Sequence, residues 1–242
     1  EAGHVRVAVY NGNDTAPSWT FVDGNAASGL NPVAVDAVMT DLKMTVCNSK
    51  LFLSWINASP NGVQIMAYNG NDASPAWVPV QGDAVTGLAY LDPAGTHELL
   101  DQVLIAAGGK LYYIWRDFWV DRTDPNHPVS HNDLHMSVNS GDGSSTNWTA
   151  VDPSGIARLN SWEVTDVNSS WTVMNDTLYF AFCDYGTLHV YVYNGNDQAP
   201  SWNLLDGIDG GINRVYGTNA VGPHLKVSNG KLYAILAESF SI

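Results

Sequence analysis

The chain has 242 residues, 45% of them apolar and only 14% charged, with nine Trp and eleven Tyr. That length suits a single all-β domain with a substantial core, and a chain so rich in aromatics and so poor in charge is not a disordered one. The formal net charge of −14 repels polyanions, which argues against nucleic acid and against anionic membrane surfaces while leaving cations, neutral sugars and basic proteins as partners. No run approaches the 18 apolar residues of a membrane-spanning helix, so membrane insertion is not expected. The start at Glu1-Ala2-Gly3, with no initiator Met, reads as a processed N-terminus, and a secreted or extracellular location is expected. Cys47 and Cys183 are too few for a disulfide framework and are expected as two free, buried thiols.

In chain order, the first predicted strands are Val5 to Tyr10 and Trp19 to Val22, joined by the loop Tyr10-Asn11-Gly12-Asn13-Asp14. Period-2 alternation then predicts four strands, Leu42 to Val46, Leu51 to Ile56, Val63 to Tyr68 and Trp77 to Val80. The first two are separated by the turn pair Asn48-Ser49, and the last two by Tyr68-Asn69-Gly70-Asn71-Asp72. The same succession returns twice more. Its turn pairs are Gly108-Gly109 and Asn175-Asp176, its loops are a degraded copy from Val138 to Gly143 and the intact Tyr193-Asn194-Gly195-Asn196-Asp197, and its tryptophans are Trp148 and Trp202. The chain ends on Leu225 to Val227, the turn Asn229-Gly230, and Leu232 to Leu236. Asn-Gly and Gly-Gly between alternating apolar runs are strong hairpin signals.

A four-stranded meander repeated about every sixty residues predicts a four-bladed β-propeller of four-stranded antiparallel blades. The anchor residues Leu51, Leu111, Leu178 and Leu232 are spaced 60, 67 and 54 apart, and passing from Leu232 through the C-terminus back to Leu51 covers 61 residues. The expected blades are therefore residues 222–242 with 1–25, then 41–82, 98–152 and 161–207, all within one domain. The first blade is split between the termini and is closed by N-terminal strands pairing with C-terminal strands. That closure leaves no long free edge and argues against two chains combining into a larger ring.

Aligned on the anchors, the repeats expose polar columns. Asn57, Asp117, Asp184 and Glu238 stand six residues after each anchor, and Arg6, Gln64, His135 and His189 stand second in the third strand. Each blade thus offers an acceptor and a donor, with Trp55, Trp115, Trp119 and Tyr185 nearby. Carboxylates that accept hydroxyl hydrogen bonds, planar donors and an aromatic face are what a sugar pocket requires. Four weak pockets would give avidity on a multivalent glycan. The competing expectation is that these are cross-strand polar pairs on a solvated face.

A third column, Asp41, Asp101, Asn168 and Gly222, stands at the start of the innermost strands. As a ring of like charges it would take a cation, possible Ca2+ ligands being Asp41 and Asp101. The Asn-Gly-Asn-Asp loops are oxygen-rich but lack calcium-loop spacing, and Asn, Gly and Asp are the residues that tolerate left-handed turns. The repeated Trp is expected as a wedge between blades. The connector from Phe118 to Asn132, with Trp119, Arg122, Asp124, His127 and His131, is long enough to be a functional loop.

Glycoside hydrolysis would need paired carboxylates, for which Asp36, Asp41, Glu98, Asp101, Glu163 and Asp166 are available. A repeated pattern suits binding better than catalysis, and no nucleophile elbow, phosphate loop or zinc spacing occurs. The expectation is a non-catalytic, multivalent lectin for glycans or glycoproteins that requires no cofactor. The alternative is a protein-binding adhesin or structural surface protein.

The runs Gly230-Lys231-Leu232-Tyr233-Ala234-Ile235, Val5 to Asp14 and Trp19 to Gly24 resemble repeats of extracellular bacterial surface proteins. In architecture the chain is similar to tachylectin- and tectonin-type propeller lectins, from which it departs in blade number. That resemblance implies a propeller fold, secretion and sugar binding between blades. Four blades also resemble hemopexin, whose closing disulfide has no counterpart in Cys47 and Cys183.

Overall fold

The computed structural model describes residues 4–24, 30, 39–58, 61–81, 97–121, 129–151, 169–184, 186–206, 212 and 218–240, and every regular element among them is a β-strand. The N-terminal hairpin pairs β1 (Ala8–Tyr10) with β2 (Trp19–Phe21). Three four-stranded antiparallel sheets follow. Unit 2 contains β3 (Met39–Cys47), β4 (Lys50–Ala58), β5 (Asn61–Tyr68) and β6 (Trp77–Pro79). Unit 3 contains β7 (His97–Ala107), β8 (Lys110–Asp121), β9 (Val129–Asn139) and β10 (Thr149–Ala150). Unit 4 contains β11 (Ser169–Met174), β12 (Thr177–Asp184), β13 (Thr187–Tyr193) and β14 (Trp202–Leu204). The C-terminal hairpin pairs β15 (Thr218–Ser228) with β16 (Lys231–Phe240). Each unit is a meander in sequence order. The expected pairing of N-terminal with C-terminal strands is not among the described ladders, and the two hairpins stand as separate two-stranded sheets.

Local chemistry accounts for the meander. The pairs Asn48-Ser49, Gly108-Gly109, Asn175-Asp176 and Asn229-Gly230 all carry positive φ at both residues, the conformation of the tight turn whose twist matches that of the flanking strands. Between the third and fourth strands, Asn side chains build the loop from within. Asn11 Oδ1 accepts from the Asn13 N–H, Asn13 Oδ1 accepts from the Thr15 N–H, and Asn11 Nδ2 donates to the Ala16 carbonyl. The loops at Asn69 and Asn194 repeat these bonds. Tyr10, Tyr68 and Tyr193 each donate to the Asp at the loop's end, Asp14, Asp72 and Asp197. Burial, then Asp72, pushes the Tyr68 phenol up to about 12.

No unit has a core of its own. Along β4, Leu53 and Trp55 pack with Val5 and Leu30 of the N-terminal segment. The alternate residues Phe52 and Ile56 pack with Leu104, Leu111 and Tyr113 of unit 3. Tyr112 and Ile114 of unit 3 meet Leu178, Phe180 and Phe182 of unit 4. Ala181 and Cys183 meet Leu225 and Leu232 of the C-terminal hairpin. The period of two therefore sends successive side chains into two different interfaces.

Polar contacts follow the same order. Trp77 Nε1 donates to the Val22 carbonyl of the N-terminal segment, and Trp148 Nε1 donates to the Val80 carbonyl of unit 2, both at 2.7 Å. Trp202 Nε1, the next in the series, is buried with no hydrogen-bond partner among the described residues. Lys50 donates to the Asp142 carbonyl in the unit 3 loop, and Lys110 pairs with the Asp197 carboxylate in the unit 4 loop. Gly141, at a φ of 67°, lies where a Cβ would strike Cys47 Sγ, so unit 3 approaches unit 2 more closely than any other residue there allows. Both cysteines are free and buried, in different interfaces.

Ser49 holds a φ of 61° where the last unit's turn has Gly230. A left-handed conformation costs a non-glycine residue about 1–2 kcal/mol. Ser49→Gly is expected to stabilise the protein by about 1 kcal/mol and Ser49→Val to destabilise it by a similar amount, checked by urea denaturation.

Candidate functional site

The structure gives the donor column partners other than those the sequence led us to expect. Arg6 pairs with Asp23 through its Nε. Gln64 Oε1 accepts from Gln81 Nε2 at 2.9 Å. His189 Nδ1 meets Asp206 Oδ2 at 2.6 Å. Each partner follows the fourth strand, 17 residues after the donor. His135 and Asp152 keep the same spacing in unit 3, although Asp152 is outside the described residues.

The partner side chain also takes over a backbone bond. Asp206 Oδ1 accepts from the Val190 N–H at 2.7 Å, and Gln81 Oε1 accepts from the Ile65 N–H at 3.2 Å. Where the short fourth strand stops, a carboxylate or amide continues the ladder and satisfies a donor that would otherwise be orphaned. Asp23, His189 and Asp206 are buried. The column's geometry is thus that of a side-chain cap on the third strand. The constant 17-residue spacing is the sequence signal that points to it, and aligning the repeats on the anchor leucines alone passes over it.

The third column also has a structural job. The β3–β4, β7–β8 and β15–β16 ladders each slip register, between Thr40 and Lys43, Leu100 and Val103, and Val221 and His224. Asp41, Asp101 and Gly222 sit in those slips with φ of 58°, 49° and 61°. They are β-bulge residues, and Asp, Asn and Gly are the types that tolerate the left-handed region. Asp41 pairs with Lys43 at 3.2 Å and Asp101 with Arg116 at 2.8 Å. Each carboxylate therefore has a cation of its own unit beside it. Among the described residues no group of three or more His, Cys, Asp or Glu is gathered as metal ligands would be. Asn168 is outside the described residues, as are Tyr185, Asp36, Glu163, Asp166, Arg122, Asp124 and His127.

In the acceptor column, Asn57 stands opposite Gly62, Asp184 opposite Thr187 and Glu238 opposite Ala220, all toward strand ends. Asp117 stands between Leu99 and Asp133. Trp55 is fully buried against the N-terminal segment and Trp115 is buried in the interface with unit 2, so both serve as core.

Unit 3 departs most from its siblings. The expected connector from Phe118 to Asn132 is largely strand, because β8 and β9 remain paired out to Asp121 and Val129. The residues in between, 122–128, are outside the described set. On one face of β8, Tyr113, Trp115, Asp117 and Trp119 follow at every second position. Tyr113 and Trp115 stack at 5.5 Å, and Trp115 stacks on His135 at 5.2 Å. Farther out, half-buried Trp119 lies flat on His131, with centroids 3.8 Å apart and planes 6° apart. The row runs from the core between units 2 and 3 to a flat indole–imidazole pair, with Asp117 one step inward. Beyond the core, this aromatic pair and a carboxylate lie on one face of β8. No known protein family matches the sequence, and no curated protein shows measurable similarity to it.

Removing the Asp206 carboxylate strands the Val190 N–H and His189 Nδ1 in a buried place. Asp206→Ala is expected to cost about 2–4 kcal/mol by denaturant unfolding, a buried unsatisfied group being worth about 1–3, with Asp206→Asn costing less. Equal stability of Asp206→Ala and the parent would refute the cap.

Proposed function

We propose that the chain is a non-catalytic carbohydrate-binding protein whose four units close into a four-bladed propeller. The observation that carries the binding reading is the Trp119–His131 stack on the extended hairpin of unit 3, with Asp117 on the same strand face. A pyranose has an apolar face and a rim of hydroxyls. An indole held flat by a neighbouring ring offers area at little entropic cost, and a carboxylate nearby accepts the hydroxyl bonds. The cap role of Arg6, Gln64 and His189 draws those donors away from sugar, so unit 3 is the primary site in this reading. Any multivalency then rests on Asn57, Asp184 and Glu238 in the other units. Low charge and a net charge of −14 suit a neutral glycan, and a secreted location goes with the resemblance of Val5 to Asp14 and Trp19 to Gly24 to extracellular repeats.

The propeller reading is supported by the way the two half-units dock. The N-terminal segment, through Val5, Val7 and Leu30, meets unit 2, and the C-terminal hairpin meets unit 4, on the same alternating faces that join whole units to one another. Catalysis would require an acid and a base set about one sugar apart, and the paired cations beside Asp41 and Asp101 do not favour either as one.

A glycan array with and without chelator tests the function. Binding to a defined set of glycans is expected, weakened at least about tenfold by Trp119→Ala, the equivalent of ~1.4 kcal/mol, and reduced by Asp117→Ala. Loss of signal with chelator would add a bridging cation such as Ca2+. A blank array at high protein concentration would contradict the lectin and favour a protein-binding adhesin. Released sugar from an oligosaccharide would favour a glycosidase.

A further inference from the structure

An asparagine side chain is open to attack by the backbone nitrogen that follows it, and a following glycine has no side chain to crowd that nitrogen. The sequence contains five Asn-Gly pairs, at Asn11, Asn61, Asn69, Asn194 and Asn229. The fold treats them differently. Asn11, Asn69 and Asn194 have both ends of the amide engaged. Nδ2 donates to the carbonyls of Ala16, Ser74 and Ala199, and Oδ1 accepts from the N–H groups of Asn13, Asn71 and Asn196. Asn61-Gly62 lies within the β4–β5 ladder, opposite Ala58 and Asn57.

Asn229 differs on each count. Its side chain is exposed and makes no hydrogen bond among the described residues. Ser228 with Lys231 is the last pair of the β15–β16 ladder, so Asn229 and Gly230 form the turn itself and distort without breaking a pair. A Cβ at Gly230 would meet nothing within 4 Å, so the turn is not packed over on that side. The other tight turns that begin with Asn lack this freedom. Asn48 Nδ2 donates across the interface to the Gly109 and Gly141 carbonyls, and Asn175 precedes Asp176, whose side chain crowds the attacking nitrogen.

We infer that Asn229-Gly230 is a site of spontaneous covalent modification, deamidation through a cyclic imide, and that the fold withholds the same reaction from Asn11, Asn69 and Asn194. The Gly230 nitrogen gives up its proton and attacks Asn229 Cγ. The N–Cγ bond forms, the Cγ–Nδ2 bond breaks, and ammonia leaves. Water then opens the imide at one of its two carbonyls. Cleavage at Cγ restores the ordinary backbone with an aspartate. Cleavage at the main-chain carbonyl leaves the chain running through Cγ, as isoaspartate.

The two products have opposite consequences. Aspartate tolerates the φ of 51° that Asn229 holds, and Asp-Gly forms the same type of turn. Isoaspartate adds a methylene to the main chain between Ser228 and Lys231, where the ladder register allows two ordinary residues. The hairpin that this turn closes packs Leu225 and Leu232 with Ala181 and Cys183 of unit 4, and the Leu225 N–H donates to Ser170 Oγ at 2.9 Å. Isoaspartate at 229 therefore loosens the contact between the C-terminal hairpin and unit 4.

The test is incubation of the native chain in mildly alkaline buffer, with peptide mapping by mass spectrometry at intervals. Two side-chain hydrogen bonds must break at Asn11, Asn69 or Asn194 before the amide swings toward the nitrogen, so Asn229 is expected to react at least about tenfold faster than any of the three. The reaction is expected to slow in mildly acidic buffer, where the nitrogen keeps its proton. In urea, with the loops open, the four rates are expected to converge. Equal rates in the native chain would overturn the inference, as would an Asn229 that reacts in urea alone. A gap that persists unchanged in urea would also overturn it, since local sequence rather than the fold would then set the rates. Asn229→Asp, which stands for the aspartate product, is expected to melt with the parent, and the isoaspartyl fraction separated by ion exchange is expected to melt about 2–4 °C lower. An isoaspartyl fraction as stable as Asn229→Asp would refute the consequence drawn for the hairpin.

Discussion

An indole N–H that crosses from one sheet to a backbone carbonyl of the sheet before it is the interaction on which the arrangement of units depends. Trp77 and Trp148 make it to Val22 and Val80. The bond fixes where one unit's fourth strand ends relative to the start of the next unit's fourth strand, and the indole buries a large apolar area as it does so. Around it the alternation of each central strand sends odd and even side chains into different interfaces. A single unit therefore buries neither face alone, which is the general condition of repeat proteins. Stability must come from the stack, and the two ends of the stack carry the unmet part of that requirement.

Polar chemistry is spent locally before it is spent on function. The Asn side chains of the loops bond their own backbone. Gln81 and Asp206 finish the ladder where the fourth strand is too short to do so, and Asp23 at the same position pairs with Arg6. Asp41 and Asp101 sit at left-handed bulges in the first strands of units 2 and 3. These groups recur because the units share a backbone, and a shared backbone repeats its repairs as faithfully as a shared ligand would repeat its contacts. Unit 3 breaks the pattern by extending β8 and β9, and its extra length carries the stacked Trp119 and His131.

Much of the fold was legible in the sequence. Alternation and turn pairs such as Asn229-Gly230 act within a few residues, so strand order and hairpins followed directly from local rules. The role of the repeated Trp as an inter-unit wedge was also legible, since a large side chain repeated once per unit has few other uses. The site was less so. The partner of His189 is 17 residues away across a loop, and no local rule links the two. Asp41 and Asp101 looked like charge, when what mattered was their tolerance of positive φ. Trp55 looked like a platform, because sequence shows an aromatic without showing which face of the strand is covered.

The central claim is that inter-unit contacts repeat around a closed ring, so that no strand edge at the termini stays unpaired. Amide hydrogen exchange followed residue by residue on the native protein tests it most directly, at the outward-facing N–H groups of β16 and β1. The account predicts protection there comparable to the β4–β5 and β12–β13 ladders. Exchange at these groups as fast as in the loop at Asn11 to Ala16 would contradict it, and would leave an open stack with two bare edges.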